Sequence, residues 1–121
     1  MRRGMIVLVA LILFFAGTGD LSAYTYIYSN RTGYPIKVTV QLYDDADKTG
    51  RIEADALYTI STRFLLKSWT AEVFLDNQWQ QVLNLTCDFL PGNHTFTIYV
   101  NEVKGPDGKV NRDWYAINGG D

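Results

Sequence analysis

The sequence predicts an all-β protein, an antiparallel β-sandwich of about seven strands with immunoglobulin-like architecture, after an N-terminal signal peptide. Three observations lead to this fold class. Short segments in which apolar and polar residues alternate recur from Tyr24 onward. Clusters of glycine, proline, asparagine and aspartate separate these segments. The 121 residues include one cysteine, so packing rather than internal disulfides must hold the fold together.

The N-terminus has the three-part pattern of a secretory signal peptide. Two arginines follow the initiator methionine, residues 5–16 are uniformly apolar, and the small residue Ala23 precedes the expected cleavage point. The apolar run is about a dozen residues, shorter than the roughly 20 that a membrane-spanning helix needs. We therefore expect cleavage of residues 1–23, with a retained anchor as the alternative. Residues 24–121 would then form a single secreted or periplasmic domain without a transmembrane helix.

Alternation defines the first two predicted strands. Residues 24–29 alternate and are rich in β-forming side chains, and a turn follows at residues 30–33. Residues 34–43 form the clearest strand, because one face is apolar and the other mostly polar, as in an antiparallel sheet with one solvated face. The apolar face consists of Ile36, Val38, Val40 and Leu42.

The acidic segment at residues 44–55 has part of the pattern of a calcium-binding loop. Asp45, Asp47 and Thr49 take alternate positions, and a glycine follows for the sharp turn. Two features disagree: alanine stands where a closing glutamate belongs, and a strand rather than a helix enters the loop. Glu53 can substitute only in a different geometry. We favour a polar connection between strands, with a calcium site at these residues as the alternative and no other cofactor expected.

Four features complete the predicted elements. Residues 57–67 favour a strand with a bulge or a change of sheet near residues 61–62, because residues 64–66 break the alternation, and a short helix is the alternative. Residues 94–103 alternate again. A Gly-Pro-Asp-Gly turn at residues 105–108 leads to a last strand at residues 110–117.

Residues 69–85 predict the hairpin that anchors the core. With a three-residue loop at residues 76–78, Leu75 faces Trp79, and the apolar side chains of both strands share one face. The loop conflicts with this arrangement, because its third residue should adopt a left-handed conformation and Gln78 suits that poorly. The apolar pattern carries more weight, since a slip of one residue would turn an apolar face toward water.

The composition offers little for catalysis. His94 is the single histidine, and no serine or cysteine motif accompanies it. Metal sites built from histidine and cysteine clusters are excluded by count, and no glycine-rich phosphate loop occurs. Without residues 1–23 the 11 basic and 13 acidic side chains fall to 9 and 12, and no basic stripe points to nucleic acid. We therefore expect a protein that is not an enzyme, with a hydrolase as the most distant alternative.

Cys87 and three glycosylation sequons allow two interpretations each. Cys87 is predicted to be a small buried apolar residue, with an intermolecular disulfide as the alternative. The sequons begin at Asn30, Asn84 and Asn93. They matter only if the protein passes through a eukaryotic secretory pathway, and asparagine and threonine are common in turns and strands for other reasons.

The remaining residues favour a binding surface. Three tryptophans and eight tyrosines are many for one domain, and Tyr24, Tyr26 and Tyr28 share one face of the first strand. A terminal strand at a sheet edge offers free backbone groups to a partner, and exposed tyrosines add contact area. We therefore expect a non-catalytic binding module that recognises a partner protein or a glycan through this β-surface. The alternative is that the three rings pack inward.

Overall fold

A computed structural model describes residues 24–119 and contains two four-stranded β-sheets packed face to face. The predicted all-β sandwich is confirmed, whereas the predicted signal peptide at residues 1–23 lies outside the described residues. No helix between residues 24 and 119 is long and apolar enough to cross a membrane. The strands are β1 (Tyr24–Asn30), β2 (Ile36–Leu42), β3 (Lys48–Ile52), β4 (Leu57–Thr62), β5 (Leu66–Leu75), β6 (Gln78–Leu90), β7 (Asn93–Lys104) and β8 (Val110–Asn118).

The strand order places β1 inside its sheet. One sheet has the order β4-β1-β7-β8 and the other β3-β2-β5-β6. Neighbouring strands are antiparallel except β1 and β7, which run parallel. This parallel pair and the eighth strand are two details in which the prediction of about seven antiparallel strands is wrong. The sheets stack so that β3 meets β4 along one side and β6 meets β8 along the other.

The inner faces of the central strands form the core. β2 buries the four apolar side chains that alternation predicts, and β5 lies beside it in the same sheet. From the facing sheet, Tyr28 packs edge-on against Trp69 with ring centroids 5.1 Å apart. Phe96 of β7 stacks on Tyr28, also at 5.1 Å. Burial of these large rings accounts for a stable core without disulfides.

The acidic segment contains a strand that the sequence pattern does not predict. β3 pairs with β2, with Val38 opposite Gly50, and Ile52 is its one buried side chain. A Cβ atom at Gly50 would lie 2.5 Å from Cε1 of Tyr58, so this glycine lets the tyrosine ring pack against the backbone. With one buried residue in five, the alternation is too weak to identify the strand.

The β5–β6 hairpin closes with a two-residue turn instead of the predicted three-residue loop. Asp76 and Asn77 have positive φ values of 54° and 61°, as a type I′ turn requires. An extra residue, Val82, then bulges from β6 and shifts the register. Beyond the bulge, Trp69 pairs with Leu85, as the apolar pattern predicts. The two-residue turn and the buried apolar face therefore occur together, because the bulge at Val82 restores the register.

The shifted register places Trp79 on the outer face, where the prediction had it facing Leu75 on the buried face. It pairs with the exposed Phe74, and the two rings meet edge to face at 5.3 Å. Nζ of Lys37 lies 4.5 Å from the centroid of the Trp79 ring, and Arg51 approaches the same ring at 5.5 Å. Lys37 and Arg51 of the same chain therefore cover the Trp79 indole ring through cation–π contacts.

Two predicted breaks in the chain are confirmed. Residues 57–67 divide between the sheets, since β4 ends at Thr62 and β5 begins at Leu66 in the other sheet. The turn between β7 and β8 has Gly108 at φ 83°, and its amide donates to the carbonyl of Gly105 over 3.0 Å. Glycine suits this left-handed position because it has no Cβ.

Candidate functional site

The tyrosine row of β1 does not form a surface. Tyr26 and Tyr28 have no exposed area, and Tyr24 is partly buried. The Tyr26 hydroxyl donates to the carbonyl of Leu90 over 2.7 Å, inside the molecule. The predicted exposure and edge position of this strand are wrong, because β1 lies between β4 and β7 and turns its tyrosines into the sandwich. The alternative, in which the rings pack inward, is the one observed.

The residues of the alternative calcium site are not brought together. Asp45 forms an ion pair with a lysine three residues on, at 3.5 Å, and Asp47 is exposed. Thr49 directs its hydroxyl toward a threonine of β2, and Glu53 pairs with an arginine of β3 at 2.6 Å. Within residues 24–119 no group of three or more histidine, cysteine, aspartate or glutamate side chains is placed to hold a metal ion.

His94 has a structural position. Its Nδ1 lies 3.1 Å from Oδ1 of Asn118, and its Nε2 lies 2.8 Å from the carbonyl oxygen of Pro91. The ring also stacks beside Tyr26, with centroids 6.4 Å apart. These contacts tie the start of β7 to the end of β8 and to the preceding turn.

The two sides of the sandwich differ in how they close. On the β3–β4 side, the Tyr58 ring fills the space over Gly50. On the opposite side, a cleft of about 280 Å³ opens between β6 and β8. Among residues 24–119, none of those that line this cleft has a charged side chain. Its lining includes Trp69, Leu85, Cys87, Phe96, Ala116 and Asn118.

Trp69 is a fully buried residue in the lining of the cleft. Its side chain has no exposed area, and its indole Nε1 has no hydrogen-bond partner in the part of the chain that the structure describes. A buried donor left unpaired costs about 1–3 kcal/mol. A ligand that brings an acceptor to this nitrogen would therefore recover free energy that the unliganded fold lacks.

Cys87 contributes a free, partly buried thiol to the cleft. Burial raises the pKa of this thiol above its ordinary value, and the neighbouring Asp88 carboxylate raises it further. The thiol therefore remains protonated near neutral pH and adds polarisable contact surface rather than a nucleophile. As the single cysteine of the chain, it also provides a specific chemical label for the cleft.

A bulge shapes the β6 rim next to Cys87. Between the pairs Ser68–Thr86 and Leu66–Leu90, β6 has the three residues 87–89 where β5 has one. Asp88 and Phe89 have φ values of 47° and 58°, a left-handed conformation that is uncommon outside glycine. The Phe89 ring points outward and stacks on Tyr43 with centroids 4.1 Å apart.

Both rims of the cleft are sheet edges with uncharged stretches. Residues 82–87 on β6 and residues 114–118 on β8 contain no charged side chain, and Leu85 and Ile117 are 36% and 53% exposed. Edge strands are commonly protected by lysine, proline or other charges. Sequence reasoning missed this site because strands distant in sequence form it. The two uncharged stretches were the local signal that could have indicated it.

Comparison with known proteins gives the fold alone. No family model matches the sequence, and no curated protein matches it significantly. A protein from Eubacterium rectale whose structure was determined by NMR is similar, with a TM-score of 0.50 and 14% sequence identity. The similarity covers 80% of this chain and 91% of that chain. At this identity the comparison supports the architecture, and the activity must be argued from the site.

Proposed function

We propose that this protein is an exported, non-catalytic binding module that takes an uncharged segment of a partner protein into the cleft between β6 and β8. The observations that carry the proposal are an apolar cleft with Trp69 in its lining and the unpaired indole N–H of the same residue. Binding sites commonly combine an apolar lining with a few polar groups that fix orientation. Export rests on the signal pattern of residues 1–23.

The size of the cleft favours side chains of a partner over a free ligand. An apolar cavity of about 150 Å³ accommodates a benzene molecule. At about 280 Å³ the cleft has room for one or two apolar side chains, and it lies just below the usual range of small-molecule sites, about 300–1,000 Å³. A glycan is disfavoured, because Thr86 and Asn118 are the polar side chains in the lining.

The charge of the lining also selects the partner. Burial of a charged group without a counter-charge is costly, and the cleft offers none. Leu85, which lines the cleft and is 36% exposed, extends the apolar surface onto the β6 rim. An uncharged segment is therefore the complement of this apolar lining.

We further propose that the sandwich is immunoglobulin-like in its layers. Support comes from the two stacked four-stranded sheets with an aromatic core between them. Its first two strands lie in different sheets, whereas an immunoglobulin domain places them in one. The likeness therefore concerns the architecture and not the order of strands.

Selection from a library of displayed linear peptides tests the function. Peptides are selected on immobilised residues 24–121 and compared on two arginine variants. Leu85→Arg puts a charge at the mouth of the cleft and should weaken capture about tenfold or more, as the loss of about 1.4 kcal/mol predicts. Leu57→Arg, on the far edge of the molecule and 62% exposed, makes the same charge change and should bind as wild type.

Labelling of Cys87 provides a second measurement in the same experiment. A peptide held in the cleft should slow the reaction of this thiol with a soluble disulfide reagent, because Cys87 lines the cleft. The proposal fails if no peptide is enriched, or if enriched peptides bind wild type and Leu85→Arg equally and leave the labelling rate unchanged.

A further inference from the structure

We infer that the partner segment binds as an added β-strand on β8, through the backbone groups of Trp114, Ala116 and Asn118. This inference rests on the proposed function and specifies how the segment is held. A strand added to a sheet edge gains affinity from main-chain hydrogen bonds and specificity from alternate side chains. The β7–β8 ladder and the position of the cleft support it independently.

The ladder between β7 and β8 determines which backbone groups are free. At one end the amide of Gly119 donates to the carbonyl of Thr95 over 2.8 Å, and at the other the amide of Gly105 donates to the carbonyl of Lys109 over 2.7 Å. In an antiparallel pair, hydrogen-bonded and non-hydrogen-bonded residue pairs alternate. The bonded residues at the two ends, Gly119 and Lys109, are both odd-numbered. The odd-numbered residues of β8 therefore form the backbone hydrogen bonds with β7.

The even-numbered residues consequently direct their N–H and C=O groups toward the free edge. These residues include Trp114, Ala116 and Asn118, and the last two also line the cleft. Residues directly opposite each other on neighbouring strands place their side chains on the same face. A strand bonded to Ala116 must therefore place its opposing side chain over the cleft, toward Trp69.

β8 suits strand addition better than β6. The pairing of β8 with β7 runs without interruption from Val110 to Asn118. The register of β6 shifts at Val82 and again at residues 87–89. Bulges leave residues unpaired and twist an edge away from a potential partner. The edge of β6 therefore offers an interrupted row of backbone hydrogen-bonding groups.

A second copy of this chain does not offer a strand with free apolar side chains for the cleft. If it offered its own β8, the side chains facing the cleft would be those of Trp114 and Ala116, which already pack against the core of that copy. Val82, Leu83 and Cys87 of its β6 pack inward in the same way. The occupant must instead have free apolar side chains at alternate positions and no charge, as an extended segment of another protein can.

Amide hydrogen exchange tests the geometry, with the enriched library peptides as probes. In the free domain the amides of Trp114, Ala116 and Asn118 should exchange rapidly, whereas those of Tyr115 and Ile117 should already be protected. Added peptide should slow exchange at the three even-numbered positions about tenfold or more, as closure of a hydrogen bond predicts. Protection along β6, with no change along β8, would overturn the inference.

Two substitutions at position 116 separate the effect of the backbone N–H on binding from the effect of the side chain. Ala116→Pro removes an edge-facing N–H and keeps the bonds to β7, as proline is tolerated on edge strands. Ala116→Val adds similar bulk and keeps the N–H. Peptide affinity should be about fivefold or more lower in Ala116→Pro than in Ala116→Val, as one lost hydrogen bond predicts. Thermal melts verify that both variants fold, and equal affinities would contradict strand addition.

These measurements distinguish failure of the proposed function from failure of strand addition. If no peptide slows Cys87 labelling, the proposed function fails together with this inference. If a peptide slows Cys87 labelling but leaves the three β8 amides unprotected, the proposed function stands and strand addition is wrong. If those amides become protected as the domain alone is concentrated, with a matching rise in mass, the occupant is a second copy and the inference is overturned.

Discussion

The ring of Tyr58 on β4 lies against the backbone of Gly50 on β3 and closes one side of the sandwich. A Cβ atom at Gly50 would approach Cε1 of Tyr58 to 2.5 Å, closer than side chains pack. The glycine is therefore required for space. This side is therefore filled, whereas the cleft of about 280 Å³ lies on the β6–β8 side.

Replacement of this glycine should destabilise the fold. Gly50→Ala should lower the free energy of unfolding by about 1–3 kcal/mol, the usual cost of overpacking. Denaturant titration of residues 24–121 measures the change. In a Tyr58→Ala background the ring is absent, and the same substitution should cost less than about 0.5 kcal/mol, so the two changes are coupled. Equal costs in both backgrounds would show that the contact does not constrain position 50.

Local pattern predicted the strands whose faces differ in polarity. β2 alternates strictly between buried apolar and solvated polar residues, so its existence and orientation were predictable. β3 was not, because Ile52 is its one buried side chain. The turn at Asp76 and Asn77 was misjudged by one residue, since the apolar pattern conceals the bulge at Val82 that restores the register.

The candidate site was less predictable because it depends on contacts between distant segments. The alternation of Tyr26 and Tyr28 fits either a surface face or a core face. In the structure β1 lies beside β7 within its sheet, and both rings are buried. No local rule places a first strand beside a seventh. The cleft likewise exists because residues 82–87 and 114–118 lie on facing edges that stand apart.

The two buried tyrosines of β1 should respond differently to loss of their hydroxyls. Tyr28 has no exposed area, and its hydroxyl finds no partner within residues 24–119. Burial raises its pKa well above the ordinary value, so the group remains neutral. Tyr28→Phe should therefore be neutral or stabilising, within about 1 kcal/mol.

Tyr26→Phe provides the matched control on the same strand. It removes the 2.7 Å hydrogen bond to the Leu90 carbonyl and should cost about 0.5–1.5 kcal/mol. Denaturant unfolding of both variants under one condition gives the comparison. A loss on Tyr28→Phe as large as that on Tyr26→Phe would mean that the Tyr28 hydroxyl has a bonded partner.

Asn30 should be a structural residue rather than a glycan acceptor. It is fully buried, and its Nδ2 donates to the carbonyls of Tyr34 and Ile52 over 2.6 and 3.0 Å. Its Oδ1 accepts from the amide and the hydroxyl of Thr32. Asn30→Ala should therefore destabilise the domain by about 2–4 kcal/mol, because several buried groups lose partners together.

Asn84 is the matched control, since it also begins a sequon and is exposed on β6. Asn84→Ala should change the free energy of unfolding by less than about 0.5 kcal/mol, as is usual for exposed positions. Comparable losses at the two positions would contradict the role assigned to Asn30.

Glu102 should make the fold sensitive to acid. A hydrogen bond from the Tyr34 hydroxyl, and then one from Arg112 Nε at 2.8 Å, lowers the pKa of Glu102 below its usual value of 4.5. Because the pKa is lower in the folded chain than in the unfolded chain, the ionised carboxylate stabilises the fold above the unfolded value. That contribution is lost as the pH falls through the folded value.

Glu102→Gln should therefore lower the melting temperature at neutral pH, and the difference from wild type should shrink as the pH falls through the lowered pKa of the folded chain. Thermal melts of both proteins across this range measure the difference. Tyr34→Phe should reduce the pH dependence by removing the larger of the two hydrogen bonds while the arginine contact remains. A melting-temperature difference between wild type and Glu102→Gln that stays constant with pH would show that this carboxylate does not contribute through its charge.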